Sequence, residues 1–176
     1  MLTLTKVYAE DLSEELLNRL YAEAFPYISK ERQRMGDNAL QAALIGDLND
    51  HPIIRYDVDG YTVGIASYAD FVYDGKTYMF HRHPIYGQTE TGSRAWWYSE
   101  EFQQKNSEYV RAEGYAGVIT LFNPASPAGK AVGSHFGSFN KYYNKPVVVE
   151  DPETIGFKLK PDAKGIMQAY VIDLMD

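Results

Sequence analysis

Two Asp-Gly dipeptides, Asp59-Gly60 and Asp74-Gly75, constrain the fold of this chain more than any other feature of its sequence. Each dipeptide separates two runs of β-type residues, and Asp-Gly in that position is among the strongest short-range signals for a β-hairpin. The three runs are PIIRYDV, YTVGIASYADFVY and KTYMFHRHPIY. The sequence therefore predicts a three-stranded antiparallel meander over residues 52–86.

An amphipathic helix is predicted ahead of the meander. A first strand over residues 2–9 leads into DLSEELLNRLYAEAF, where apolar residues recur at spacings of three and four. Asp11 or Ser13 can cap this helix, and Pro26 marks its end. A second helix is predicted from Asp37 to Leu48.

The spacing of apolar residues changes after the meander. Residues 93–112 have helical spacing, and the apolar run YAGVITLF at 115–122 then fits a buried strand. A strand, a helix and a strand in succession imply a parallel crossover. A short helix after Asn123 and two strands, near 146–159 and 166–174, complete the chain. We predict one α+β domain over the 176 residues, in the order β-α-α-β-β-β-α-β-α-β-β.

The composition excludes several classes of protein. Hydrophobic residues make up 45% of the chain and charged residues 23%, which is typical of a folded domain. The net charge of −7 argues against nucleic-acid binding through a broad basic face. The absence of cysteine excludes disulfides, thiolate catalysis and thiolate metal sites. No apolar run reaches the roughly 18–20 residues of a membrane span, and the N-terminus lacks signal-peptide anatomy. We therefore expect a cytoplasmic protein that binds no membrane.

The segment QTETGSRA, residues 88–95, joins the last meander strand to the next predicted helix. A helix N-terminus carries free N–H donors and a partial positive charge, so it can hold a phosphate. Gly92 would let the backbone approach such a ligand closely. The side-chain donors are those of Thr89, Thr91, Ser93 and Arg94. The segment predicts either a phosphate-binding loop or a helix start capped by Thr91 or Ser93.

This order of elements resembles the GCN5-related N-acetyltransferase (GNAT) superfamily over nearly the whole chain. The resemblance rests on the early helices ending in FPYISKERQ, the meander, the strand-loop-helix at 78–112 and the strand-Asn-helix at 115–136. It implies that the fourth and fifth strands splay apart around acyl-coenzyme A. The pyrophosphate would lie on the loop after the fourth strand. The family's loop has Gln or Arg, two residues, Gly, one residue, then Gly or Ala; here Gln88, Gly92 and Ala95 are spaced more widely, and Glu90 adds a negative charge.

The resemblance implies an N-acetyltransferase that takes acetyl-CoA as co-substrate, uses no metal and acts on a small-molecule or protein amine. His81 or His83 on the fourth strand would deprotonate the amine. The family's Tyr after the fifth strand is missing here. Ser134 and His135 stand near its place, and His135 suits a general acid because its ordinary pKa lies near neutrality. The cofactor contacts implied are Ile85, Gln88, Thr89, Thr91, Gly92, Ser93, Arg94 and Asn123.

A non-catalytic protein on the same fold, acting through binding or assembly, is a second hypothesis. Its support is the altered loop, Glu90 and the missing Tyr. Trp96 and Trp97, taken as exposed, would suit a protein interface. Homodimer formation stays open.

A metal site is a third hypothesis, and it concerns the histidines of the fourth strand. His81 and His83 point to the same face of a strand, and two imidazoles so placed can hold a metal. With Gly75 they resemble the first motif of cupins, although the Glu expected after them is absent. The simplest interpretation is two surface histidines on one strand. A loose echo of the second cupin motif is provided by Pro127, Gly129, His135 and Asn140.

Overall fold

The computed structural model describes residues 1–27, 51–125, 130, 141–161 and 163–176. The α-helices in this part of the chain are α1 (Glu14–Ala24) and α2 (Glu100–Ala112). The strands form a mixed sheet in the order β1-β2-β3-β4-β5-β7-β6. Their bounds are β1 Leu2–Val7, β2 Ile53–Val58, β3 Tyr61–Tyr73, β4 Lys76–Tyr86, β5 Gly117–Phe122, β6 Val147–Val149 and β7 Gln168–Asp173. The predicted α+β class is confirmed.

Two predicted helices lie in stretches outside the described residues. They are the helix from Asp37 to Leu48 and the short helix after Asn123. Among the residues that are described, no helix is long and apolar enough to cross a membrane.

The chain divides into two compact units. The first comprises residues 1–69 and 81–106, and the second comprises residues 70–80 and 107–176. The prediction of a single domain stays a prediction.

The predicted meander is confirmed, including both of its Asp-Gly turns. Asp59 and Gly60 have φ of 51° and 84°, and Asp74 and Gly75 have φ of 50° and 73°. Positive φ at both central residues is what a type I′ hairpin turn requires, and the Gly of each pair adopts it without steric cost. β1 extends the meander by pairing antiparallel with β2, from Leu2↔Val58 to Val7↔Ile53.

The core of the first unit lies between α1 and the sheet. Of the two candidate caps, Asp11 and Ser13, it is Ser13 that caps α1, since its Oγ accepts the N–H of Leu16 at 3.1 Å. The apolar stripe of the helix then faces the strands, and its buried residues are Leu20, Tyr21 and Ala24. The buried side chains of this core are Leu12, Leu20, Tyr21, Ala24, Ile53, Ile65 and Ile85.

The second unit contains the parallel strand pairing that the predicted crossover requires. β4 pairs in parallel with β5 at Met79↔Val118 and Phe80↔Ile119. Along its whole length β5 also pairs antiparallel with β7, from Gly117↔Asp173 to Phe122↔Gln168. The core of this unit contains the buried side chains Tyr78, Ile119, Phe157, Ala169 and Val171.

The prediction of one continuous helix over residues 93–112 is wrong at its N-terminal end. A 3₁₀ turn covers Ala95–Tyr98, and α2 begins at Glu100. Ser99 separates the two because its backbone is extended. Its Oγ accepts the N–H of Phe102 at 3.1 Å, which is the geometry of an N-cap.

The strand predicted near 146–159 is much shorter than expected. β6 ends at Val149, and a 3₁₀ turn follows over Pro152–Ile155. Pro152 has no N–H for a β-ladder. Asp151 caps the turn, since its Oδ1 accepts the N–H of Glu153 at 3.1 Å.

Candidate functional site

The loop over residues 87–94 follows β4 and is closed by its own hydrogen bonds. The N–H of Thr89 donates to Ser93 O at 2.8 Å, and the N–H of Gly92 donates to Thr89 O at 2.9 Å. The N–H of Ser93 donates to Thr89 Oγ1 at 3.1 Å. Three backbone amides, those of Thr89, Gly92 and Ser93, are therefore bonded within the loop.

Gly92 gives this loop an open outer surface. Its φ of +87° lies in the left-handed region that favours glycine. A Cβ added at this position would meet no heavy atom within 4 Å. Thr91 and Ser93 on either side are exposed. A ligand can therefore approach the backbone and both hydroxyls here.

The hydroxyls of the loop are arranged around the same turn. Thr89 Oγ1 and Thr91 Oγ1 lie 3.1 Å apart, within hydrogen-bonding distance. Ser93 Oγ accepts the N–H of Ala95 at 3.1 Å, where the 3₁₀ turn begins. Ser93 thus supports the start of the 3₁₀ turn and not the start of α2. The first turn of α2 carries the acidic residues Glu100 and Glu101, whose negative charge is unfavourable for a phosphate there.

Arg94 directs its charge toward the chain itself. Its Nη2 donates to Tyr86 O at 2.9 Å. The guanidinium carbon lies 3.6 Å from the centroid of the Tyr27 ring and 5.3 Å from that of Trp97. Cations attract aromatic faces at such distances, so Arg94 stabilises the end of the loop in this structure.

Trp96 and Trp97 are buried, which corrects the expectation of an exposed pair. Their exposed fractions are 7% and 6%. Trp96 Nε1 donates to Gly87 O at 3.0 Å, which joins the 3₁₀ turn to the start of the loop. The Trp96 ring packs 5.5–5.7 Å, centroid to centroid, from the rings of Tyr56, Tyr86 and Phe102.

Glu23 on α1 contacts the loop, and no motif in the sequence indicates this contact. Its Oε2 accepts the N–H of Gln88 at 3.0 Å, and its Oε1 accepts from Arg19 Nη1 at 2.8 Å. The spacing of Arg19 and Glu23, four residues apart on a predicted helix, is a signal for an ion pair. That spacing carries no information about which loop the pair would meet.

His81 is buried in β4, so the interpretation of both histidines as surface residues is wrong for His81. Burial lowers its pKa to about 4, because a charged imidazole loses its hydration there. The ring is therefore neutral at neutral pH. His83 also lies in β4, and its side chain is outside the described set. Within that set, no group of three or more His, Cys, Asp or Glu side chains could hold a metal ion.

The remaining predicted site residues do not all fall in the loop. Ile85 is buried against α1. Asn123 belongs to the second unit, where its Oδ1 accepts the N–H of Ala125 at 2.9 Å in a local turn. The residues Ser134 and His135, and the cupin-like positions Pro127, Gly129 and Asn140, lie outside the described residues. The structure thus brings Gln88, Thr89, Thr91, Gly92, Ser93 and Arg94 together in one loop.

The sequence matches no protein-family model and no curated protein. Its structure, however, resembles solved acetyltransferases over whole chains. An N-acetyltransferase from Staphylococcus aureus matches with a TM-score of 0.57 at 9% identity, covering 99% of this chain and 97% of that one. An IAA acetyltransferase from Bacillus cereus matches with a TM-score of 0.52 at 9% identity, covering 99% and 100%. An acetyltransferase of the GNAT family from Streptococcus pneumoniae matches with a TM-score of 0.51 at 10% identity, covering 100% of both.

These likenesses show that the chain has the GNAT acetyltransferase fold. A cupin is mostly β, so this fold gives the cupin-like metal hypothesis no support.

Proposed function

We propose that this protein is an acyl-CoA-dependent N-acetyltransferase that transfers an acetyl group from acetyl-CoA to an amine. The observation that carries the proposal is the GNAT fold, matched over at least 97% of both chains in three acetyltransferases. Fold alone does not fix function, so the local chemistry of the loop after β4 has to support the same reaction.

The 87–94 loop supports it through its exposed surface. Gly92 leaves the backbone open, and the hydroxyls of Thr91 and Ser93 flank it. Hydroxyl donors beside an open backbone suit the oxygens of a diphosphate. Acetyl-CoA supplies the activated thioester carbonyl when it is bound. The chain's own residues would hold the nucleotide through Gln88, Thr89, Thr91, Gly92, Ser93 and Arg94, with Ile85 and Asn123 proposed as further contacts.

Proton transfer would fall to groups on β4 and after β5. A base has to accept the proton of the attacking amine, and His81 and His83 are the proposed candidates. With a pKa of about 4, neutral His81 is a weak base, which favours His83 for this role. His135, with Ser134 beside it, is proposed to protonate the leaving thiolate. The acceptor is a small-molecule or protein amine, and a cytoplasmic location stays a prediction from the sequence.

A non-catalytic binding protein on this fold is the second candidate. The observation that favours this candidate is that several hydrogen-bond donors of the 87–94 loop already donate to acceptors within the loop. The amides of Thr89, Gly92 and Ser93 are bonded inside the loop, and the Arg94 guanidinium lies over the Tyr27 ring. A phosphate would meet fewer free donors here than at an open helix N-terminus.

Acetyl-CoA binding, measured by thermal shift and calorimetry, separates the two candidates. A ligand that binds only the folded state raises the melting temperature. We expect a rise with millimolar acetyl-CoA, and a loss of that rise in Gly92→Trp, because an indole would cover the open surface. No rise in the wild-type protein would contradict the enzyme proposal.

Gly114→Trp is the matched control for this substitution. Gly114 has φ of +88°, against +87° for Gly92, and a Cβ at either position meets no heavy atom within 4 Å. Both variants therefore carry the same backbone strain in an open position. We expect Gly114→Trp to lose stability as Gly92→Trp does, yet to keep its response to acetyl-CoA.

A further inference from the structure

We propose that Glu23 is a positioning residue that fixes the entrance of the 87–94 loop for acetyl-CoA; this inference rests on the proposed function. Its carboxylate accepts the N–H of Gln88 through Oε2 at 3.0 Å. Gln88 is the residue at which the predicted cofactor segment starts. Hydrogen bonds to a charged acceptor are the stronger class, so this bond restrains the backbone where the chain leaves β4.

Arg19 holds the carboxylate of Glu23 in place. Its Nη1 lies 2.8 Å from Glu23 Oε1, and its Nη2 donates to Thr62 O at 2.7 Å. The guanidinium also lies 4.4 Å from the centroid of the Tyr61 ring. Because Arg19 is attached to β3 in this way, Glu23 joins α1, β3 and the loop. Arg19 also compensates the charge of Glu23, whose side chain is only 17% exposed.

Gly87 leaves the space that Glu23 occupies. A Cβ at position 87 would lie 2.7 Å from Glu23 Oε2, which is closer than real Cβ contacts come. It would also lie 3.2 Å from Leu20 Cδ2 and from Val63 O. Meanwhile the N–H of Gly87 donates to Val63 O at 2.7 Å. The absence of a side chain at Gly87 is thus what allows the carboxylate to reach Gln88.

Because Glu23 is paired with Arg19, its carboxylate is better suited to holding the loop in position than to repelling a bound diphosphate. A bare carboxylate beside the loop would repel a diphosphate, but a carboxylate bonded to a guanidinium carries little net field. The contact therefore restrains the loop without adding an uncompensated negative charge. Preorganisation of a loop strengthens binding because less conformational entropy is lost when the ligand arrives.

Amide hydrogen exchange in Glu23→Ala tests the restraint without any ligand. We expect the Gln88 amide to exchange about tenfold faster, while the amides of β2 keep their protection. Glu23→Gln keeps an acceptor oxygen and loses the charge, so its Gln88 amide should exchange at a rate between those of the wild-type protein and Glu23→Ala. This variant replaces Glu23→Ala in the test if Glu23→Ala does not fold. Glu15→Ala, an exposed change on the same helix, should leave the Gln88 amide unchanged. Unchanged exchange at Gln88 in both Glu23 variants would overturn the proposal.

Calorimetric titration with acetyl-CoA tests the role in binding. We expect the Kd of Glu23→Ala to rise about tenfold, or ~1.4 kcal/mol, and that of Glu15→Ala to equal the wild-type value. A lower Kd in Glu23→Ala would mean that the carboxylate blocks the loop and would refute positioning. If the wild-type protein binds no acetyl-CoA, the proposed function fails, and the exchange experiment alone decides whether Glu23 restrains the loop.

Gly87→Ala is a second substitution that should break the hydrogen bond between Glu23 and the Gln88 amide. Its added methyl group displaces the Glu23 carboxylate, so it should also speed exchange at Gln88 and weaken acetyl-CoA binding. In the double variant with Glu23→Ala, the two effects should not add, because both act through one contact. Additive effects would show that Gly87 and Glu23 act separately.

Discussion

His81 illustrates how one buried residue limits the chemistry of the strand that carries it. Neutral imidazole accepts protons, but a pKa near 4 leaves it about 300-fold less basic than an ordinary histidine, whose pKa is 6.5. A general base works best when its pKa lies near the working pH. A pKa of about 4 therefore makes His81 poorly suited to accept a proton from an amine at neutral pH.

The burial of His81 predicts a pH dependence of stability. Its folded pKa of about 4 lies below the ordinary value of 6.5. Between these pH values the unfolded chain binds more protons, so the free energy of unfolding falls as the pH is lowered. From pH 7.5 to pH 5 this one group should remove about 2 kcal/mol. Urea unfolding at the two pH values measures the change.

His81→Gln separates this effect from all other titrations. Glutamine is polar and does not titrate, so the variant should lose about 2 kcal/mol less than the wild-type protein between the two pH values. Comparing each protein with itself removes the cost of the substitution. An identical pH dependence in the two proteins would show that the folded pKa of His81 is not lowered.

At the scale of elements, the turn after β4 is held by an aromatic cluster. Trp96 reaches back to Gly87 O and packs among Tyr56, Tyr86 and Phe102. Gly64 makes room for it, since a Cβ there would lie 3.0 Å from Trp96 Cη2. The 3₁₀ turn therefore serves to place an indole under the loop.

Substitutions of Trp96 test whether it belongs to the core or to an interface. We expect Trp96→Ala to lower the free energy of unfolding by roughly 3–5 kcal/mol, the usual cost of removing a buried Trp. Trp96→Phe should cost at least ~1 kcal/mol, because the bond to Gly87 O is lost. Chemical denaturation of the purified variants measures both changes in the free energy of unfolding.

Tyr98→Ala is the control within the same 3₁₀ turn. Tyr98 is 42% exposed, so its removal should cost much less than that of Trp96. If Trp96→Ala kept full stability and instead changed the oligomeric state, the indole would be an interface residue after all.

The sequence predicted elements well where one local rule decided them. The Asp-Gly turns required positive φ, and the apolar stripe of α1 required a buried face. It failed where two local rules competed. Helical spacing continued through residues 93–112, but the cap at Ser99 interrupted it. In the 146–159 stretch, Pro152 and the Asp151 cap ended a run that apolar spacing alone would have continued.

The candidate site was less predictable than the fold because its contacts join distant parts of the chain. The hydroxyl residues and Gly92 lie within one short segment, so the sequence alone could indicate them as a possible phosphate-binding loop. The bond from Gln88 to Glu23 spans 65 residues, and no local pattern encodes it. The burial of Trp96 likewise involves Tyr56, forty residues earlier. Such contacts depend on packing, which a single sequence does not display.

On the scale of the whole molecule, the division into two units is unusual in its position. It falls inside strands, between Ala69 and Asp70 in β3 and between Phe80 and His81 in β4. Domain boundaries ordinarily fall in exposed linkers with few contacts. A strand that unfolds at one end loses ladder hydrogen bonds at that end and exposes its neighbours. The single domain that the sequence indicates therefore stays a prediction, and the unfolding behaviour of the full chain can test it.

Differential scanning calorimetry of the full chain tests that expectation. A single cooperative unit gives a calorimetric enthalpy equal to the van't Hoff enthalpy. For a chain of 176 residues we expect about 120 kcal/mol from the usual 0.7 kcal/mol per residue, released in one transition. Two separately unfolding units would give a calorimetric enthalpy about twice the van't Hoff value, or two resolved peaks. If the chain unfolds as one cooperative unit, bound acetyl-CoA stabilises the whole folded chain. Saturating acetyl-CoA should then move the single unfolding peak to a higher temperature without splitting it. Splitting by the ligand would place binding in one unit and would contradict the single-domain prediction.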